Sequence, residues 1–130
     1  MTHCLDSWAI LAWAAGEEPA RRIVREAIDE GRPVMSWINL VEVHYRVARN
    51  HGEEEADRTL AELRGLVRED LPGVEMMRAV ARLKAAHPIA LADCFAVATA
   101  AASDASLITG DPEIVDRAAD LPCEVVDARG

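Results

Sequence analysis

Apolar residues recur in short blocks separated by polar breaks, and the spacing within each block sorts it into strand or helix. His3 to Leu5 reads as a very short first strand ending at Asp6, and Ser7 suits the N-cap of a helix through Ala15, stopped by Gly16. Pro19 opens a second helix in which Ile23, Val24, Ala27 and Ile28 return at helical spacing before Gly31 closes it. Pro33-Val34-Met35 is a predicted strand, and Ser36 begins a helix carrying Ile38, Leu40, Val41, Tyr45 and Val47 up to Asn50-His51-Gly52. Glu53 to Leu66 follows as a helix with acids in its first turn and Arg64 near its end, matching the macrodipole. Val67 to Leu71 reads as an irregular strand, Val74 to Ala86 as a helix broken by His87-Pro88, and Ala90 to Ser103 as an alanine-rich, buried helix. Ser106 to Thr109 is a strand running into Gly110-Asp111-Pro112; a short helix from Glu113 and a last strand over Cys123 to Val126 complete the chain. Short strands alternating with helices predict a parallel α/β sandwich, formed as one domain over residues 1–130.

Composition narrows the picture. Alanine occupies 24 of 130 positions against five aromatic residues, so the core must be built from small side chains on closely packed helices. Acids outnumber bases 23 to 14, a net charge of −9, which argues against nucleic-acid binding through a broad basic patch but leaves room for nucleic-acid chemistry run through metal ions. Cys4, Cys94 and Cys123 lack zinc-site spacing and an even count, which fits a reducing cytoplasm. No signal-peptide pattern or membrane-length apolar run is visible, so a cytoplasmic location without membrane contact is expected.

Four acids stand out by position. Ligands of an open parallel sheet bind beyond the carboxyl ends of its strands, and Asp6 and Asp111 each follow a predicted strand. Glu42 and Asp93 interrupt apolar helix faces, where a carboxylate is costly to bury unless it is paired or holds a metal. Simpler roles exist for three of them. Asp6 and Asp111 also suit helix caps, and Glu42 can pair with Arg46 one turn on, a contact of about 0.3–0.5 kcal/mol. Asp93 has no basic residue at positions 89, 90, 96 or 97. An all-oxygen donor set suits Mg²⁺ or Mn²⁺ better than zinc. The histidines are scattered, and no GxSxG, P-loop or GxGxxG motif occurs.

The order Leu5-Asp6-Ser7, Ser36-Trp37-Ile38-Asn39-Leu40-Val41-Glu42, Leu91-Ala92-Asp93-Cys94-Phe95-Ala96-Val97-Ala98-Thr99-Ala100 and Leu107-Ile108-Thr109-Gly110-Asp111-Pro112-Glu113 resembles the PIN-domain ribonucleases, and among them the VapC toxins of bacterial toxin–antitoxin pairs. The resemblance spans essentially the whole chain. It implies a PIN-like three-layer sandwich around a short parallel sheet, with Asp6, Glu42, Asp93 and Asp111 as catalytic and metal-binding acids. It further implies Ser7 and Thr109 in support, Mg²⁺ or Mn²⁺ as cofactor, an RNA substrate and a homodimer. A cognate antitoxin follows too, expected to be basic and to insert an arginine into the acidic pocket. Ala90 departs from the family, where a serine is common at the start of that helix, and Trp8 replaces a smaller residue. The abundance of tryptophan (Trp8, Trp13, Trp37) also points to an interface. Two other classes merit comparison. A receiver domain needs a lysine after its late threonine, and the only lysine, Lys84, lies before Thr109. A catalytically silent PIN-like binding module would not need all four acids.

Overall fold

The structure, a computed structural model, describes residues 2–130. Five parallel strands, β1 (His3–Leu5), β2 (Val34–Ser36), β3 (Arg68–Asp70), β4 (Ser106–Thr109) and β5 (Val125–Asp127), form one sheet in the order β3-β2-β1-β4-β5. Seven helices connect them: α1 (Ser7–Ala14), α2 (Ala20–Glu30), α3 (Trp37–His51), α4 (Glu53–Leu66), α5 (Val74–Ala86), α6 (Leu91–Ala102) and α7 (Pro112–Val115). The chain leaves β1 towards β2 and β3, then returns to the other side of β1 for β4 and β5. That reversal makes the carboxyl end of β1 the switch point of the sheet.

Alternation along three-residue strands sorts the core into two layers. Leu5, Met35 and Ile108 pack with Ile10, Val24, Leu40, Val43 and Leu63 beneath α1 to α4. Their neighbours Cys4, Val34 and Leu107 face Ala96, Val97 and Ala100 of α6. Each fully buried Leu, Ile or Val contributes roughly 1.5–3 kcal/mol, enough to hold strands too short to pair stably alone. Small residues on α6 let that helix lie close to the sheet, and α5 covers it through Val80, packed with Ile89, Cys94 and Ala98. The result is the expected three-layer sandwich. All three cysteines are free, and Cys4 and Cys94 are buried. No helix among the described residues is long and apolar enough to cross a membrane.

Several boundaries differ from the sequence expectation for local reasons. Asp6, not Ser7, caps α1: its backbone is extended and its carboxylate accepts the Ala9 N–H at 2.9 Å. Ser7 is the first helical residue, which frees its hydroxyl to donate to Glu42. Strand β2 runs one residue later than expected because Ser36 pairs with Asp70 while also capping α3 through the Ile38 N–H. Strand β5 likewise starts at Val125, after a 3₁₀ turn at Ala118–Asp120 that periodicity does not reveal. Gly52, at φ +91°, joins α3 directly to α4 and gives the tight reversal that only glycine adopts at low cost.

Candidate metal centre

Each of the four acids predicted from sequence reaches the same end of the sheet by a different route. Asp6 ends β1 and is 2 % exposed. One carboxylate oxygen is committed to the Ala9 N–H, and the other accepts the Thr109 hydroxyl. Thr109 in turn accepts the Asp111 N–H at 3.0 Å, so a single hydroxyl ties the end of β1 to the loop leaving β4. Asp111 caps α7 by accepting the Glu113 N–H at 2.9 Å, which turns its carboxyl group back towards α6. Asp93 lies in the first turn of α6, 7 % exposed.

The closest grouping is Asp93, Asp111 and Glu113, with one oxygen from each lying within 4.8 Å of the others. Glu113 closes the last of the four sequence motifs but is not among the site acids expected from sequence. It also accepts, at 3.1 Å, the N–H of Ala90, the N-cap residue of α6, whose side chain supplies no cap of its own. Glu42 stands apart from this trio but lines the same cleft, held by the Ser7 hydroxyl on one oxygen and by Arg46 at 3.6 Å on the other. The cleft, about 220 Å³, is bounded also by Trp8, Leu11, Ala12 and Glu17; Asp6 is not among its lining residues. A second residue that periodicity hides is Asn39 on α3, fully buried, whose side-chain amide donates to the Ala92 carbonyl at 3.2 Å and fixes α3 against the start of α6. The visible hint was a polar residue inside an apolar run.

Electrostatics mark the place as short of positive charge. Burial raises the Asp6 pKa to about 7, with the charges of Asp111 and Glu42 adding to it against the opposing hydrogen bonds from Thr109 and Ala9. Burial likewise raises Asp93, to about 8, reinforced by the charges of Asp111 and Asp6. Oxygens bound to one hard cation at about 2.1–2.5 Å lie at most about 5 Å apart, so the spacing of the Asp93, Asp111 and Glu113 trio is close to what one such ion requires.

Trp8 acquires a role here. Its ring lies against Gly110, where an added Cβ would sit 2.2 Å from a ring carbon. The ring therefore requires glycine between Thr109 and Asp111, and in exchange it walls the cleft on that side.

The family model for the PIN domain matches residues 3–121. The chain belongs to the PIN-domain family. This PIN domain matches no curated protein in sequence. In structure it is similar to VapBC2 from Rickettsia felis, solved bound to a DNA fragment from the promoter, at TM-score 0.76 and 17 % identity, over 98 % of this chain and 100 % of that one. It also resembles VapBC-1 from nontypeable Haemophilus influenzae, at TM-score 0.73 and 24 % identity over 98 % of each chain. A third similar structure is the Mycobacterium tuberculosis toxin VapC20, described as cleaving the sarcin-ricin loop, at TM-score 0.68 and 17 % identity, over 86 % of this chain and 92 % of that one. At these identities the shared property is the fold, including the strand order that brings β1 and β4 together beneath the acids of this PIN domain.

Proposed function

We propose that the protein is a metal-dependent endoribonuclease and the toxin of a type II toxin–antitoxin pair, acting in the cytoplasm. The observation carrying this reading is the convergence of Asp93, Asp111 and Glu113 at the carboxyl end of a parallel sheet, with Asp6 and Glu42 adding charge around them. Asp93, Asp111 and Glu113 would hold a divalent cation; Mg²⁺ or Mn²⁺ bound there supplies a Lewis acid that activates water and offsets charge on the scissile phosphate. The remaining residues keep that donor set in place. Asp6 fixes the start of α1 and, through Thr109, the backbone of Asp111. Ser7 and Arg46 orient Glu42 along the cleft, where its carboxylate faces incoming solvent or substrate.

The toxin reading draws on the VapBC and VapC structures that share this fold and on one of them being described as a toxin that cleaves the sarcin-ricin loop. A basic antitoxin presenting an arginine would meet the same charge deficit that a cation meets, making the two competitors. Association into a homodimer draws on α3, which exposes Trp37, Val41 and Tyr45. Trp8 and Trp13 instead pack partly buried against the core, so of the three tryptophans only Trp37 is available for that contact.

The deciding experiment incubates purified protein with a structured RNA in Mg²⁺ or Mn²⁺, with and without chelator, alongside Asp93→Asn. Cleavage that needs the ion and is lost in the variant supports the reading. Equal cleavage in excess EDTA overturns it. Co-purification with the product of the neighbouring gene, and its release by raised Mg²⁺, tests the antitoxin.

A further inference from the structure

The acid cleft contains Glu17, Glu42, Asp93 and Asp111 and a single cation, Arg46. A polyanion approaching it would meet a metal at the carboxylate trio and, one step away, only this guanidinium. Arg46 follows Glu42 by one turn of α3, and the pair is an ion contact at 3.6 Å, longer than a hydrogen bond. Its side chain is 46 % exposed, so the fork of N–H donors is aimed by Glu42 yet open to a ligand. Several other arginines are engaged: Arg58 by Glu54 and Glu55, Arg64 by Glu69, Arg129 by Asp127, and Arg49 over the ring of Tyr45. Arg21, Arg25, Arg82 and Arg117 line neither this cleft nor the one beside it.

Beyond Arg46 lies a second cleft of about 420 Å³ between α1 and the α3–α4 pair, sharing Leu11 and Arg46 with the acid cleft as a common wall. Its size falls in the range of roughly 300–1,000 Å³ usual for small-molecule sites. Leu11, Ala14 and Val47 give it apolar surface, while Asn50, His51 and Thr59 offer hydrogen-bonding groups. Its one acid, Glu55, is already held by Arg58. An apolar floor, hydrogen-bonding walls and a guanidinium at the entrance match a nucleoside with its phosphate.

We propose that Arg46 binds the phosphate next to the scissile one and that the adjoining cleft of Leu11, Val47, Asn50, His51 and Thr59 receives the nucleoside attached to it. This rests on the ribonuclease reading above and adds to it a direction for the RNA strand, from the carboxylates across Arg46 towards the α3–α4 reversal.

The test measures binding of a short fluorescein-labelled oligouridylate by anisotropy, in Ca²⁺ and over a range of salt, for the full chain and for Arg46→Met, Arg46→Lys and Arg49→Met. Removing one phosphate contact should weaken binding roughly tenfold and lower the slope of log affinity against log salt by about 0.7. Arg46→Lys should restore the slope but only part of the affinity, and Arg49→Met, outside both clefts, should change neither. With a cleavable RNA, Arg46→Met should raise KM more than it lowers kcat. Unchanged affinity and slope in a folded Arg46→Met protein would overturn the assignment. So would a fall in kcat alone, which would mean that Arg46 acts only by holding Glu42. If the parent binds RNA with this pattern but does not cleave it, the phosphate contact of Arg46 stands and the nuclease reading falls; if the parent does not bind RNA, both fall.

Discussion

Replacing Asp6 by asparagine should stabilise the metal-free protein at alkaline pH while abolishing cleavage. Below pH 3.8 Asp6 is protonated in both folded and unfolded chains and costs nothing. Between that value and its folded pKa of about 7, the unfolded chain ionises first and binds fewer protons, so stability falls as pH rises. Above pH 7 the full penalty applies. At 1.36 kcal/mol per pH unit the gap amounts to about 4 kcal/mol, of which about 2 kcal/mol is already present at pH 5. Asparagine carries no such penalty. Its carbonyl can keep the Ala9 N–H, but its amide donates where the Thr109 hydroxyl used to donate, at a cost of about 1 kcal/mol. The expected net gain is therefore about 3 kcal/mol at pH 8, close to 1 kcal/mol at pH 5, and a small loss near pH 4. Denaturant titrations in EDTA across pH 5 to 8 read this directly, and melting temperatures should diverge by roughly 10 °C at pH 8. Added Mg²⁺ should stabilise the parent more than the variant, because a cation at the Asp93, Asp111 and Glu113 trio also offsets the nearby Asp6 charge, narrowing the gap. A stability difference that is flat with pH would refute the account of Asp6 as a buried carboxylate short of positive charge.

Gly110→Ala should cost at least about 2 kcal/mol, because the new methyl group displaces the Trp8 ring, and adding Trp8→Ala should recover part of that loss; additive effects would refute the contact. Thr109→Val should cost about 1–3 kcal/mol by leaving a buried acceptor and the Asp111 N–H unpaired, measurable by chemical denaturation. Asp93→Asn and Glu113→Gln should each weaken Mn²⁺ binding by calorimetry, with Glu53→Gln, on an exposed helix face, leaving it unchanged. Trp37→Glu should convert a dimer to a monomer in light scattering and remove the dependence of the melting temperature on protein concentration.

Element types were legible because each obeys a local rule. The acids of Glu53 to Glu55 announce α4, Gly31 and Gly52 close α2 and α3, and the apolar run ending in Thr109 has no helical spacing. The four acids were legible for a different reason, since a carboxylate inside Ile38 to Val43 or Leu91 to Val97 contradicts its surroundings. What stayed hidden depends on contacts between distant parts of the chain. Glu113 looks like any first-turn acid until α6 arrives beside it, and its bond to Ala90 spans 23 residues. Trp8 had no meaning before Gly110 was placed against it, because nothing in either local sequence specifies the other. The choice between Asp6 and Ser7 as cap turned on backbone conformation: Asp6, extended at the end of β1, accepts the Ala9 N–H, while Ser7 is already helical and donates to Glu42.

The hydrogen bond between Thr109 and Asp6 joins residues 103 positions apart. A chain emerging from the ribosome therefore carries Asp6, Glu42 and Asp93 long before β4 exists to draw them together. Until residues 106–111 pair beside β1, the end of β1 lacks its neighbour, Asp111 lacks its anchor, and the trio of carboxylates is incomplete. Non-local pairing of this kind is also slow to form. The donor set proposed for the cation thus assembles only at the last stage of folding, and a fragment that ends before β4 lacks both Asp111 and Glu113.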